Sequence, residues 1–206
     1  MPRVKVARKS TAIDMTAMCD VAFLLLTFFI LTAKPKVDDP SKAEVPTSQN
    51  QKLVPEENIA IISVGQENRI FYSVSGNDVR AETLKAMGEI YKVNFTPEEV
   101  AAFSTTEIFG VPMSQLKSYL DTPGDLRAKF DQKGIQADTT ANNELSNWIL
   151  TSRKADRGLH DKDLDIAIKG DKKDLYPVMN TIISVLERQK KFKFSLITDL
   201  KTAAKK

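Results

Sequence analysis

Residues 15–33, MTAMCDVAFLLLTFFILTA, form an apolar run that constrains what the rest of the chain can be. A helix needs about 20 such residues to cross the hydrocarbon core of a bilayer, so the run is long enough to span one. Lys34, Pro35 and Lys36 end it with interfacial cations around a helix-stopping residue. One charge interrupts it, at Asp20. An ionised carboxylate at the centre of a membrane helix costs roughly 2.5–3.5 kcal/mol on insertion scales, and such residues are rare and usually functional. Asp20 lies about 7 Å inside the N-terminal end by helical rise, so it costs less than at the midplane. At about 3.6 residues per turn, Thr16, Asp20 and Thr27 fall within about 40° of one another, and Phe28, Phe29 and Ile30 take other faces. A polar stripe of this kind suits contact with neighbouring helices, and its hydroxyls could hydrogen-bond the carboxyl group. A carboxyl group that is neutral in hydrocarbon and ionises on reaching water can carry protons. The bland alternative is an interfacial Asp20 that snorkels or caps.

Two other uses of the run fit less well. A cleaved signal peptide would not carry Asp20 in its apolar region, and Leu31-Thr32-Ala33 lacks the small–x–small cleavage pattern. Cys19 precedes most of the apolar residues, so a lipoprotein anchor is disfavoured and the cysteine reads as a small helix residue. Orientation follows from Arg3, Lys5, Arg8 and Lys9 before the run against Lys34, Lys36 and Lys42 after it. The slight excess favours the N-terminus inside, with the rest of the chain periplasmic in a two-membrane bacterium.

Residues 35–58 are rich in Pro, Ser, Lys, Asp, Glu and Gln. They cannot bury enough apolar surface to offset ordering entropy and read as a flexible tether. Folded structure is expected from Asn58 onward. Ile59–Val64 and Arg69–Val74 are β-rich runs around Gly65–Asn68, a hairpin pattern. Ala81–Tyr91 has helical spacing. Thr96-Pro97-Glu98-Glu99 is a helix start, with a capping hydroxyl, Pro in the first turn and acids at the positive end. Ser114–Leu120 and Asn142–Lys154 read as helices, with turns at Asp121–Gly124 and Gly134–Thr140. Leu164–Lys169 reads as a strand, Gly170–Lys173 as a turn, Leu175–Lys190 as a helix and Phe192–Thr198 as a strand. In that helix Val178, Ile182, Val185 and Leu186 share a face, which gives a βαβ-like ending.

Composition narrows the function. A net charge of +3, with the cations read as spread along the chain, argues against a nucleic-acid binder. One cysteine and one histidine leave no intrachain disulfide and no usual His/Cys zinc set. No Gly-rich phosphate loop is present. No cofactor and no enzymatic role are therefore expected. His160 stands beside an acidic run of Asp161, Asp163, Asp165, Asp171 and Asp174. A metal site there is conceivable, but a solvated face is the commoner meaning of such a run. Trp148 is expected in the core or at a dimer contact.

The stretch Ile13-Asp14-Met15-Thr16-Ala17-Met18-Cys19-Asp20-Val21 resembles the membrane-entry signature of the ExbD/TolR family, approximately Ile-Asn-Val-Thr-Pro-x-Val-Asp-Val. Asp20 falls on the family's membrane aspartate and Thr16 on its threonine. Asp14 stands in place of Asn and Ala17 in place of Pro. Leu164–Lys173, with its Asp171-Lys172 turn, and Tyr176–Thr198 look like the family's closing strand–turn–helix–strand, and Val45-Pro46 resembles its apolar–Pro element. The resemblance implies an α+β chain with a cytoplasmic segment at 1–14, a transmembrane helix at 15–33 and a flexible linker at 34–58. A small two-layer periplasmic domain would follow at 59–200, with a helical insertion at 85–155 and a tail at 201–206. It further implies a homodimer inside a ring of an ExbB/TolQ-like membrane protein, proton passage through Asp20, and work delivered to a TonB/TolA-like periplasm-spanning protein. The look of residues 20–29 favours the ExbD branch, which energises TonB-dependent outer-membrane transport. The alternatives are a TolR- or stator-like subunit for envelope maintenance or motility, and a membrane-tethered periplasmic binding or scaffold domain without motor function.

Overall fold

A computed structural model describes residues 15–33, 40, 47–48, 57–127, 129–138, 143–170, 175–197 and 199–200. The chain divides into two units, Met1–Val37 and Asp38–Lys206. The first contains helix α1, Met15–Thr32. Its 18 residues rise about 27 Å, so by length and composition it can cross a membrane. Apart from half-buried Thr27, its side chains are exposed.

The second unit is a mixed domain of helices and sheet. Its elements in chain order are β1 (Thr47–Ser48), β2 (Ile59–Val64), β3 (Ile70–Val74), α2 (Asn77–Tyr91), α3 (Pro97–Ser104), β4 (Ile108–Phe109), α4 (Met113–Asp121), α5 (Gly124–Arg127), α6 (Glu144–His160), β5 (Asp165–Gly170), α7 (Leu175–Arg188), β6 (Ser195–Ile197) and β7 (Asp199–Leu200). Five strands form one sheet in the order β4-β3-β2-β5-β6. β2 and β3 are the expected antiparallel hairpin, joined by a 3-10 turn at Gln66–Asn68. β5 pairs in parallel with β2 on one side and β6 on the other, and α7 makes the crossover between β5 and β6.

The core lies on the sheet face that presents Ala60, Ile62 and Val64 from β2, Tyr72 and Val74 from β3, and Ile166 and Ile168 from β5. These positions alternate, as a pleated strand requires. Three aromatic side chains fill the space above them. Trp148 of α6 lies against Phe103 of α3, with ring centroids 5.7 Å apart and near-parallel planes. It meets Phe109 of β4 edge-on at 4.8 Å. All three are essentially inaccessible to solvent. Trp148 is thus a core residue, and Phe103, Phe109 and Trp148, all within 85–155, form the aromatic centre of the domain.

Local chemistry explains where helices start. Thr96 Oγ1 accepts from Glu99 N (3.2 Å) and the Glu99 carboxylate accepts from Thr96 N (2.6 Å), a reciprocal cap at the start of α3. The buried Arg80 fixes the first turn of α2. Its guanidinium donates to Ser104 O (2.7 Å), Val74 O (2.8 Å) and the Asn77 side chain, joining α2 to the ends of β3 and α3. Gly110 follows β4 where no side chain fits, since a Cβ there would lie 2.3 Å from the Phe71 ring.

Several expectations shift at their edges. α2 starts at Asn77 rather than Ala81, and α6 continues to His160 rather than ending at Lys154. Within the last expected strand, Phe192–Thr198, the described residues are regular over Ser195–Ile197, and Thr198 lies outside the described residues. Within the segment expected to be a tether, Thr47 and Ser48 pair in parallel with Asp199 and Leu200. Most of that segment, residues 171–173 of the expected turn together with Asp174, the N-terminal 1–14 and the tail 201–206 lie outside the described residues.

Candidate functional site

Residues 15–32, which include Thr16, Asp20 and Thr27, are helical. Thr16 and Asp20 are one turn apart, and Thr27 follows two turns later on the same side. Thr27 Oγ1 donates to Leu24 O (2.9 Å), and Thr32 Oγ1 donates likewise to Phe28 O (2.8 Å). Thr27 therefore satisfies its hydroxyl within its own helix. Seven residues beyond Asp20, about 10.5 Å along the axis, it does not reach that carboxylate. Asp20 is exposed.

The domain has its own polar site, at the end where β2 starts, α2 starts and α6 ends. A cleft of about 430 Å³ is lined there by residues that include Asn58, Ser75, Asp78, Asp156, His160 and Lys162. His160 Nδ1 lies 2.8 Å from Asp156 Oδ1, and its Nε2 lies 3.1 Å from Asp78 Oδ2. Asp156 is almost fully buried. Asn58, its amide oriented by this network, donates to both Asp156 oxygens (2.6 and 3.0 Å). The hydrogen bond to Asp156, with the nearby charge of Asp78, holds the His160 imidazole above the ordinary histidine range despite some desolvation. Ser75 Oγ accepts from Ile59 N (2.8 Å) and closes the strand ends beside the cleft.

Of the acidic run near His160, residues Asp161, Asp163 and Asp165 are described. Asp163 meets Lys191 (2.7 Å), Arg157 (3.3 Å) and Arg153 (3.5 Å). The Lys191 hydrogen bond, aided by the two guanidinium groups, pulls the Asp163 carboxyl below its usual range. Among the described residues no group of three or more His, Cys, Asp or Glu is placed to hold a metal ion. Asp171 and Asp174 lie outside the described residues. Asp78 and Asp156 escaped the sequence reading as partners of His160. The spacing of four between Asp156 and His160 on one helix was the available signal; Asp78, on a distant helix, offered none.

A family model described as "Biopolymer transport protein ExbD/TolR" matches residues 7–201. The chain belongs to the ExbD/TolR family. Comparison with curated proteins and with solved structures gives no match. The family match runs through α1 and the whole sheet-containing domain, so both units are parts of one ExbD/TolR-type chain. That membership makes it a biopolymer-transport subunit of the motor type, and one N-terminal apolar helix fits a single-pass inner-membrane protein. The stretch 85–155 lies inside the matched range.

Proposed function

We propose that this chain is the ExbD-like subunit of an inner-membrane motor driven by the proton-motive force, and that Asp20 carries the proton. The observation that carries the reading is the single carboxylate in α1, on a face shared with Thr16 and Thr27, within an ExbD/TolR match. In this account residues 1–14 are cytoplasmic, α1 spans the membrane and the domain at 59–200 is periplasmic. Two copies pair inside a ring of an ExbB/TolQ-like protein, and the domain passes work to a TonB/TolA-like protein that reaches outer-membrane receptors. Moving one charge through the full membrane potential supplies about 2.3 kcal/mol per 100 mV, so repeated proton passage is an adequate source of work. The neutral and ionised forms of Asp20 would favour different helix contacts, and alternation between them couples proton flow to movement.

The test replaces residues 15–33 with an unrelated apolar span of equal length. The motor account expects insertion to persist and receptor-dependent uptake to be lost. Unchanged uptake would make α1 an anchor only.

A further inference from the structure

The cations are not spread evenly along the chain, as expected above, but gather near its C-terminal end. Residues 188–206 hold seven Lys and Arg against one acidic residue, Asp199, on a chain whose net charge is only +3. Aromatic residues are interleaved with them, as Lys190-Lys191-Phe192-Lys193-Phe194. The structure places this run directly after α7, leading into β6, one of the two outer strands of the five-stranded sheet. Phe192 is 73% exposed, Phe194 40% and Leu196 46%. Lys190 and Lys193 are exposed beside them. Lys191 is turned inward to Asp163 and is not part of this surface.

Exposed phenylalanines normally cost solubility, and three apolar residues alternating through one short segment are more than scattered surface exposure. Cations set among them indicate what they meet. A bilayer interface with anionic headgroups accepts apolar side chains into its acyl boundary while its phosphates attract the flanking lysines. A peptide that adds to the open edge of β6 binds through backbone hydrogen bonds, a mode that makes no use of Phe192 or Lys193, which precede the strand. The same chain carries a candidate membrane span, so a bilayer is a surface that this protein can meet.

We propose that the segment Lys190–Leu196, with Phe192 and Phe194 as insertions and Lys190 and Lys193 as phosphate contacts, is a docking surface for anionic lipid headgroups. It holds the domain on the membrane surface reversibly, because two aromatic residues and two lysines give weak attachment that salt screens. The inference requires α1 to be in a bilayer but not Asp20 to carry protons, so the two stand or fall separately.

The test uses the full chain in nanodiscs, of phosphatidylcholine alone or with about a third phosphatidylglycerol, read by amide hydrogen exchange over residues 190–197. Protection several-fold greater in the anionic discs is expected, lost in about 0.5 M salt and lost in Lys190→Glu/Lys193→Glu. Phe192→Ser/Phe194→Ser should reduce it while exchange in the β2–β3 hairpin stays as in the parent, which reports an intact fold. Equal protection in both discs, or protection that survives the charge reversal, would overturn the proposal. So would protection by soluble polyglutamate with none from anionic discs, which would mark the surface as one for acidic protein.

Discussion

His160 and Asp156 stand one turn apart on α6, and the imidazole Nδ1 lies 2.8 Å from a carboxylate that is only 1% exposed. The other ring nitrogen faces Asp78 at the start of α2. Donating through both nitrogens requires the imidazolium form. The charged ring thus clasps the end of one helix to the beginning of another, across a cleft that Glu57 and Lys162 also line.

This clasp predicts a pH dependence of domain stability. The folded His160 pKa is raised above its ordinary 6.5. A raised value means the clasp contributes fully below the unfolded pKa and is lost as pH rises through the folded one. Melting of the full chain between about pH 5 and 9 should therefore show the parent exceeding His160→Gln most at the acid end, with the gap closing above about 6.5. A gap that is constant, or that widens with pH, would contradict the clasp.

The aromatic centre predicts a large cost for one truncation. Trp148 contacts both Phe103 and Phe109 and is fully buried. Trp148→Ala should lose about 3–5 kcal/mol in urea unfolding, by lost burial and the cavity left behind. Trp148→Phe should lose distinctly less. Equal losses would mean the indole is not packed as described.

Gly110 predicts the opposite kind of damage. An added Cβ would meet two Phe71 ring atoms, at 2.3 and 2.7 Å, and Phe71 is itself buried. Gly110→Ala should cost about 1–3 kcal/mol through overpacking. Combining it with Phe71→Leu should recover part of that loss, and full additivity would argue against the contact.

Elements with self-contained signals were readable in the sequence. The Thr96 cap needs only residues within one turn, and the β2–β3 hairpin announces itself by alternation around a polar turn. β4 was not readable, because two residues have no pattern of their own and Ile108 and Phe109 become a strand only by pairing with Ser73 and Tyr72. The added turns of α6 follow from tertiary contacts: buried Ala155 and Asp156 hold Arg157–His160 in register although the segment is polar. The helix that carries Asp20 was legible because an apolar run of this length has few other folded uses. The His160 clasp was not, since Asp78 comes from a different helix.

The central claim is that Asp20 carries protons for work done by the domain. The most direct measurement is growth on receptor-dependent iron by cells whose copy carries Asp20→Asn, an isosteric residue without a titratable proton, with membrane insertion assayed alongside. The account predicts loss of growth with normal insertion. Normal growth with normal insertion would contradict it and leave α1 as an anchor.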